Sequence, residues 1–334
     1  MKIGRNFTNM LETSFLNDEE RKKFKAGELP VYNMDARVQI KAKRDIINQL
    51  KVGKDIGLSH IELDGGVPNP YLEISDEEIK KAREYAKKEG MTMSFHLPYT
   101  YVGAATIGFQ ESDRKIACDL QKRYIDVASK LGCVSVVMHP GSVPFYQAMG
   151  EYLVMLRESL VKTLKDLFPY AKERGIIFHL ENNTAFDSYG VDNKEVIDII
   201  SEVNESEGMD IKYCFDIGHW LTIALPRFRG PDAIPSPPES IAEDIPADML
   251  YQVHLNDFYI NPDPKGSPPF KFHPPLHKQI GFLKKENLKN LARIFKEKGV
   301  ETVVVETAVR DIEDLLNAKD IIARETAYLN EVFV

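Results

Sequence analysis

Short apolar segments alternate with longer amphipathic segments along most of the chain. In residues 41–56 the apolar side chains Ala42, Ile46, Ile47 and Leu50 recur at the spacing of one helix face. The short apolar segments between such stretches are typical of buried strands. The pattern therefore predicts strands and helices in regular alternation, which indicates a parallel sheet covered by helices.

Eight strand segments can be assigned from this alternation. Eight units favour a closed barrel over an open sheet, and the sequence has neither a GxGxxG nor a GxxxxGK[ST] motif. We therefore predict an α/β fold, a single (β/α)8 TIM barrel that forms one domain over residues 1–334, with residues 9–35 as an irregular connection. The predicted strands are residues 1–8, 59–64, 92–96, 135–139, 176–181, 211–216, 250–255 and 302–306, and the helices outside 41–56 are residues 75–89, 112–131, a segment ending near 174, 193–207, 285–298 and a last one from about 314.

Proline is concentrated in one region of the sequence. Twelve of the nineteen prolines lie between Pro226 and Pro275, and all of them except Pro246 fall in the segments 221–244 and 259–279 that follow the sixth and seventh predicted strands. Proline reduces the entropy lost when a long loop is held in one shape. Both loops leave the same end of the barrel, so we predict that they form walls or a lid over a site there.

Charge and cysteine content narrow the class of protein. The formal net charge of −8 disfavours nucleic acid and anionic membranes as partners, without excluding a local basic groove. The three cysteines show no paired spacing, which argues against a disulfide framework and for a reducing compartment. The N-terminus lacks the apolar core of a signal peptide, and no apolar segment is long enough to span a bilayer. These features predict a cytoplasmic protein without a membrane segment.

Acidic residues or histidines stand at the ends of seven successive predicted strands. The carboxyl ends of barrel strands form the mouth in which such barrels keep their active sites. Carboxylates this close raise one another's pKa unless a cation compensates them, so the pattern indicates a metal site. The strand-end residues are Glu62, Asp64, His96, His139, Glu181, Asp216, His254 and Glu306.

Four of these residues lie on the adjacent strands five to eight and are the predicted metal ligands. Glu181, Asp216, His254 and Glu306 offer three oxygens and one nitrogen, a set that suits Mn²⁺, Co²⁺ or Mg²⁺, with Zn²⁺ as a further option. Additional ions would be bound by His96, His139, His219 and His277, and that many imidazoles favours zinc.

Three other histidines are predicted to have no role in the site. His60 and His179 point the same way as Glu62 and Glu181 but one layer deeper, which indicates buried histidines with hydrogen-bond partners. His273 is predicted to be a solvated loop residue.

Six motifs stand at the ends of strands three to eight. They are HLPY (96–99), HPGS (139–142), LENN (180–183), DIGH (216–219), HLND (254–257) and VVVET (303–307). With these motifs in this order and spacing, the chain resembles the xylose-isomerase-like TIM barrels, which include sugar isomerases and epimerases as well as endonuclease IV.

The epimerase branch implies one divalent ion held by the four predicted ligands. By resemblance, Glu181 and Glu306 are the catalytic bases that take and return a proton on opposite faces of the carbon beside a carbonyl, through an enediolate. His219 would contact a substrate oxygen. The implied activity is that of a sugar or polyol isomerase or epimerase, and a dehydratase would use much the same site.

The endonuclease IV branch implies instead a zinc-dependent nuclease that acts on abasic DNA. It adds zinc ligands at the positions of His96, His139, His219 and His277, but where that branch has an aspartate two residues before the last histidine this sequence has Pro275. A third zinc would thus lack a carboxylate ligand. The net charge and the narrowing loops favour a small sugar over duplex DNA.

Further substrate contacts are predicted around the mouth. If the substrate carries a phosphate or carboxylate, Arg227 and Arg229 are the candidate partners. Tyr99, Tyr101 and Trp220 follow strand ends and would either stack on a sugar face or pack in the core beneath the loops. Asn182 and Asn183 would either bond substrate hydroxyls or cap the loop after strand five. The resemblance also implies a homo-oligomer. The predicted substrate-binding residues are His96, Tyr99, His139, Asn183, Trp220, Asp257 and His277.

Overall fold

Eight parallel strands close into a barrel in the computed structural model, which describes residues 1–263 and 265–333. The strands are β1 Lys2–Asn6, β2 His60–Leu63, β3 Thr92–His96, β4 Ser135–Met138, β5 Ile177–Glu181, β6 Lys212–Asp216, β7 Leu250–Leu255, β8 Phe258–Ile260, β9 Phe270–Phe272 and β10 Thr302–Glu306. The barrel order is β1-β10-β7-β6-β5-β4-β3-β2, and β8 and β9 form a separate antiparallel hairpin. The predicted α/β barrel is therefore confirmed.

Helices cover the outside of the barrel. Successive side chains of a barrel strand alternate between the apolar core under the helices and the barrel interior. On β5, Phe178 and Leu180 belong to the apolar core, whereas His179 and Glu181 belong to the polar interior. No helix in the described part of the chain is long and apolar enough to cross a membrane. The helices are α1 Asp18–Lys25, α2 Val31–Arg44, α3 Ile46–Asp55, α4 Asp76–Glu89, α5 Glu111–Leu131, α6 Glu151–Lys172, α7 Asn193–Glu207, α8 Ile217–Leu221, α9 Lys285–Glu297, α10 Ile312–Leu316 and α11 Ala318–Val332.

The interior of the barrel is polar rather than filled with branched apolar side chains. Gln252 accepts a hydrogen bond from Ser135 (2.9 Å) and donates one to Glu62 (2.6 Å). His60 has partners at both ring nitrogens, and Gly4 leaves it room, because a Cβ on Gly4 would lie 2.6 Å from its ring. His179, also fully buried, contacts a backbone carbonyl through Nδ1. This hydrogen-bonded floor lies beneath the ends of the strands.

Two local predictions in the first 60 residues are wrong. The segment predicted to be irregular contains α1, whose N-terminus carries a capping box between Asn17 and Glu20, and the start of α2. The single helix predicted over residues 41–56 is two helices, because the side chain of Asp45 accepts the amide of Asn48 and begins α3. The apolar spacing alone predicts one continuous helix, but the capping residue Asp45 ends one helix and begins the next.

The proline-rich loops contain short elements that the sequence did not indicate. Residues 222–249, between α8 and β7, hold several turns of 3₁₀ helix. The loop after β7 holds the β8–β9 hairpin, in which Phe258 pairs with Phe272. Phe270 and Phe272 pack on Phe186 with ring centroids 5.5 and 5.1 Å apart, which joins this loop to the one after β5.

A buried ion pair joins the first and last parts of the chain. Arg5 on β1 lies 2.5 Å from Glu325 on α11, and both side chains are shielded from solvent. Glu325 also accepts hydrogen bonds from the Thr307 hydroxyl and the Leu276 amide. This one carboxylate thus holds together β1, the segment after β10 and the loop that leads out of the hairpin.

Replacing Glu325 with glutamine should destabilise the fold by about 3–5 kcal/mol, because Arg5 would keep its charge in a buried place without a counterion. Equilibrium unfolding in urea measures the change. Glu331→Gln removes the exposed pair with Lys285 and should leave the urea unfolding curve close to that of the wild type, because solvent screens both charges. Equal effects in the two variants would contradict the structural role given to Glu325.

Candidate metal centre and substrate cavity

The four predicted metal ligands lie side by side at the carboxyl ends of the barrel strands. Glu181, Asp216 and Glu306 are the last residues of β5, β6 and β10, and His254 is the penultimate residue of β7. Strand register places His254 directly beside Asp216. All four are buried, and the most exposed of them, Glu306, is only 6% exposed.

A single ring nitrogen is the point on which these carboxylates converge. Nδ1 of His254 lies 3.0 Å from a Glu181 oxygen, 3.6 Å from a Glu306 oxygen and 4.0 Å from an Asp216 oxygen. Three carboxylates around one imidazole, without a lysine or arginine among them, form a donor set that fits a hard or borderline divalent cation.

The other nitrogen of His254 is bound from below by Glu62. Nε2 lies 3.0 Å from Glu62 Oε1, and the second Glu62 oxygen accepts hydrogen bonds from Ser94 and Gln252. A carboxylate on the far nitrogen fixes the tautomer and orientation of a ligating histidine. The sequence pattern marked Glu62 as a strand-end residue, but only the structure shows that it orients His254.

The electrostatics of the centre show which charges remain uncompensated. Burial raises the pKa of Glu306 to about 7, with His254 opposing the rise and Glu181 and Asp216 adding to it. Burial also raises the pKa of Asp216, an effect to which Glu181 adds. For Glu181, burial is outweighed by His254 and His139, which hold its pKa well below the usual range. Two of the three carboxylates thus carry a cost that a divalent cation would remove.

A second group of donors surrounds the other oxygen of Glu181. Nε2 of His96 lies 3.1 Å and Nε2 of His139 lies 3.2 Å from Glu181 Oε2, and these three side chains could hold an ion. His219 contacts both carboxylates of the first group, with Nδ1 3.3 Å from Glu181 and Nε2 3.6 Å from Asp216. The structure therefore brings His96, His139 and His219 to the predicted metal centre.

The centre opens into a cavity of about 700 Å³. Tyr99 lines it with its ring stacked on His139, at a centroid distance of 5.0 Å. Asn183 also lines it and accepts a hydrogen bond from His139 Nδ1 at 2.8 Å if that nitrogen carries the proton. On the opposite side, Asn6 donates to Glu306 at 3.2 Å. Such walls can position a small polyhydroxylated molecule against the carboxylates.

His273, predicted to be solvated, is instead a partly buried wall of this cavity. Its ring stacks on His219 at a centroid distance of 5.6 Å, and its Nδ1 lies 3.9 Å from Glu306. Burial lowers the pKa of His273 to about 3, which keeps the ring neutral. Nothing in the apolar pattern indicated this position, because the pattern did not reveal the hairpin that carries His273 back over the barrel.

Three residues predicted to bind substrate lie away from the cavity, and those predictions are corrected. Trp220 packs in the apolar core and lines a separate cavity. Asp257 accepts the backbone amides of Phe258, Phe282 and Leu283, so its carboxylate holds the loop after β7 in place. The third residue, His277, lies in a 3₁₀ turn outside the lining of the cavity.

The arginines of the proline-rich insertion are engaged elsewhere. Arg229 forms a two-pronged ion pair with Asp192, and Arg227 stacks over the rings of Phe186 and Phe228 at 4.3 and 4.9 Å. Neither lines the cavity, whereas Arg310, in the segment after β10, does. Asn182 likewise has a structural role, because it accepts a hydrogen bond from the Asp216 amide and donates one to the Asp216 carbonyl.

Comparison with known proteins agrees with this geometry. The family model described as xylose isomerase-like TIM barrel matches residues 50–332. The chain belongs to this family. Among curated proteins, the uncharacterised protein MJ1614 of Methanocaldococcus jannaschii is 29% identical over 148 residues, which are 44% of this chain and 52% of that protein. The chain thus covers about half the length of this curated relative.

Solved structures with the same fold include sugar epimerases. A D-psicose 3-epimerase with D-tagatose, from Clostridium cellulolyticum H10, superposes with a TM-score of 0.60 at 16% identity, covering 86% of this chain and 92% of that one. A D-tagatose 3-epimerase-like protein gives 0.58 at 18%, covering 99% of both chains. The IolI protein with a bound zinc atom gives 0.61 at 16%, covering 100% and 98%.

Removing the carboxylate below His254 should weaken the metal centre without removing a predicted ligand. We expect Glu62→Gln to lower the affinity for Mn²⁺ by about 10–100-fold, because His254 loses the anion that fixes its tautomer. Titration calorimetry measures the affinity. The matched control is Glu239→Gln, a buried glutamate that binds Asn287 and Asn290 outside the centre. An unchanged affinity in Glu62→Gln would contradict this role.

Proposed function

We propose that the protein is a divalent-metal-dependent isomerase or epimerase of a sugar or polyol. The observation that carries the proposal is the convergence of three buried carboxylates on Nδ1 of His254 at the mouth of the barrel. The fold shared with sugar epimerases supports the same class of substrate. A sugar dehydratase would need the same groups and belongs to the same proposal.

Glu181, Asp216, His254 and Glu306 would hold the ion. Their donor set of three carboxylates and one imidazole suits Mn²⁺, Co²⁺ or Mg²⁺, and the imidazoles of His96 and His139 beside Glu181 keep Zn²⁺ as an option. When bound, such an ion polarises a carbonyl and the hydroxyl beside it, which acidifies the proton on the intervening carbon.

The protein's own contribution is to remove and return that proton. Glu181 ends β5 and Glu306 ends β10, with β6 and β7 between them in the barrel. Carboxylates on opposite sides of one carbon can act in turn as base and acid, so that the proton leaves one face and arrives on the other through an enediolate. Asn6, which donates to Glu306, orients this carboxylate.

The cavity walls would select and orient the substrate. His219 and His273 present imidazole nitrogens beside Glu306, and Tyr99 and Asn183 line the wall near His139. These groups offer hydrogen bonds to hydroxyls and a ring face for stacking. Burial of the carboxylates keeps bulk water from the reacting carbon.

A zinc-dependent nuclease acting on abasic DNA is the second candidate. The cluster of His96, His139 and Glu181 favours it, because these donors could hold an additional ion. Against it stand Pro275 at the position of an expected carboxylate ligand and the place of His277 outside the cavity lining. The net charge of −8 also opposes binding to a phosphate backbone.

Exchange of a carbon-bound proton with solvent tests the proposal. With Mn²⁺ or Co²⁺ in D₂O, we expect a member of a panel of ketoses, sugar acids and inososes to take up deuterium, detected by proton NMR. Glu306→Gln should slow the exchange by about 10²–10⁴-fold, the usual contribution of a positioned base. Metal content is measured in the same samples, because an amide also weakens the ligand set, and Glu239→Gln serves as the control.

The competing assay is cleavage of a duplex that carries one abasic site, without added Mg²⁺. The sugar proposal requires no cleavage that depends on the metal centre. Absence of deuterium uptake across the panel, together with cleavage that His139→Ala abolishes, would overturn the sugar proposal in favour of the nuclease.

A further inference from the structure

An ion pair lies in the wall of the substrate cavity. Lys43 of α2 and Asp64, which follows β2, both line the cavity, and Lys43 Nζ lies 3.0 Å from Asp64 Oδ2. The Lys43 side chain is 5% exposed and the Asp64 side chain 15%. Lysine is almost never buried this deeply unless it is paired, and a buried pair adds little net stability to a fold. The position of this pair in the cavity wall therefore points to a role in binding.

The barrel topology places the pair across the mouth from the metal centre. The four predicted ligands stand on β5, β6, β7 and β10, whereas β2 lies between β1 and β3, directly opposite β6 in the ring. One cavity is lined both by Glu306 of the centre and by Lys43 and Asp64. A substrate held at the metal centre by one end can therefore extend its other end toward this pair.

The pair keeps hydrogen-bonding capacity that the protein does not use. An ammonium group has three donors, and Lys43 directs one to Asp64 and one to the Gly66 carbonyl. Within residues 1–263 and 265–333 no third acceptor contacts it. Each carboxylate oxygen can accept two hydrogen bonds, whereas Asp64 Oδ1 accepts the Gly66 amide at 2.7 Å and Oδ2 faces Lys43. A free donor and a free acceptor thus stand side by side.

Two neighbouring hydroxyl groups of a sugar match this arrangement. One hydroxyl can accept from Lys43 while the next donates to Asp64, and the Nζ–Oδ2 distance of 3.0 Å is close to the spacing of adjacent hydroxyl oxygens. Hydrogen bonds to charged groups are stronger than those between neutral groups. A Cβ on Gly66 would lie 2.4 Å from the Tyr99 hydroxyl and 3.0 Å from Asp64 Oδ1, so this glycine leaves a further polar group beside the pair.

The charges around the cavity disfavour an anionic group at this end of the substrate. Of the described residues that line the cavity, Lys43 and Arg310 are the lysine and the arginine. Lys43 is compensated by Asp64, and Arg310 Nη1 lies 3.5 Å from Asp35 Oδ2. The histidines of the metal centre contact its carboxylates. A phosphate or carboxylate would therefore meet paired cations and the negative charge of Asp64.

Part of this wall comes from outside the region that the family model matches. That match covers residues 50–332, whereas Lys43 belongs to α2. Gln39, four residues earlier on α2, also lines the cavity. Residues four apart lie on the same face of a helix, so α2 presents a polar face to the substrate cavity. The wall is thus a feature of this chain beyond the part shared with the family.

We infer that Lys43 and Asp64 bind two neighbouring hydroxyl groups at the end of the substrate away from the reacting carbon, and that this end carries no charge. The inference rests on the proposed function, because it needs a sugar or polyol that reacts at the metal centre. It narrows the substrate to a neutral polyhydroxylated molecule that spans the barrel mouth, without a terminal phosphate or carboxylate.

Solvent exchange with matched substrates tests the inference. The substrates are the sugar that exchanges fastest in D₂O with Mn²⁺, its analogues that each lack one hydroxyl beyond the reacting carbon, and the same sugar with a terminal phosphate. In the wild type, loss of a hydroxyl bound by the pair should lower kcat/KM by about 10–100-fold, because a charged group loses its partner. The terminal phosphate should lower kcat/KM by at least about 10-fold.

Lys43→Met removes the donor of the pair. It should lower kcat/KM for the complete sugar by about 10–100-fold. The analogue that lacks the bound hydroxyl should then react within about threefold of the complete sugar, because the partner of that hydroxyl is gone. A purely structural role would lower both rates and leave their ratio unchanged. Lys130→Met, which breaks the exposed pair with Asp76, is the control and should keep the wild-type ratio.

Asp64→Asn keeps the shape of the side chain but leaves Lys43 without its counterion. The rate with the phosphorylated sugar, relative to the neutral one, should therefore rise by about 10-fold. Far-UV circular dichroism and the Mn²⁺ content show whether the variants are folded and loaded. If Lys43→Met alone does not fold, the double variant Lys43→Met/Asp64→Asn replaces it, because it leaves no buried charge unpaired.

Two results would overturn the inference and leave the proposed function in place. One is a ratio between the complete sugar and every hydroxyl-deficient analogue that stays at the wild-type value when Lys43 is replaced. The other is a wild-type preference for a phosphorylated or acidic sugar. Absence of exchange with every member of the panel would instead contradict the proposed function, and the inference with it.

Discussion

His254 is a buried imidazole held between two carboxylates, and the candidate centre depends on that arrangement. Glu62 lies below it on Nε2 and Glu181 above it on Nδ1, each at 3.0 Å. Burial opposes protonation of the ring, yet electrostatic interactions with Cys214, Glu181 and Glu62 raise the pKa of His254 well above its usual value. A divalent cation in place of that proton would satisfy the same carboxylates, which is why the geometry fits a metal centre.

The polar floor of the barrel makes this arrangement possible. In many barrels the interior is filled by branched apolar residues, which cannot orient a ligating histidine. Here Ser94 and Gln252 donate hydrogen bonds to Glu62, and these bonds hold the Glu62 carboxylate in the orientation in which it contacts His254. The loops after β7 and β10 complete the cavity above, where His273 stacks on His219 and its carbonyl accepts the amide of Ala308.

The sequence was informative wherever a residue's place follows from a strand. Glu181, Asp216, His254 and Glu306 stand at or next to strand ends, and strand ends meet at the mouth once a barrel is assumed. Residues on long connections could not be placed in this way, because their positions depend on packing between distant segments. His273 reaches the cavity through a hairpin and His277 does not, although they are only four residues apart.

Trp220 and Asp257 show the same limit at closer range. Each follows a strand-end ligand by three or four residues, yet one packs into the apolar core and the other binds backbone amides of its own loop. Beyond the end of a strand, the fact that a residue lies near a predicted ligand in sequence does not predict where its side chain points. The family comparison adds the fold and its class but does not place these side chains either.

Anomalous scattering from crystals grown with Mn²⁺ tests the central claim most directly. The account predicts a manganese peak at the barrel mouth within about 2.0–2.3 Å of ligand atoms from Glu181, Asp216, His254 and Glu306, with the far nitrogen of His254 still on Glu62. A fully occupied peak elsewhere, or none at this position under conditions in which the ion binds in solution, would contradict it.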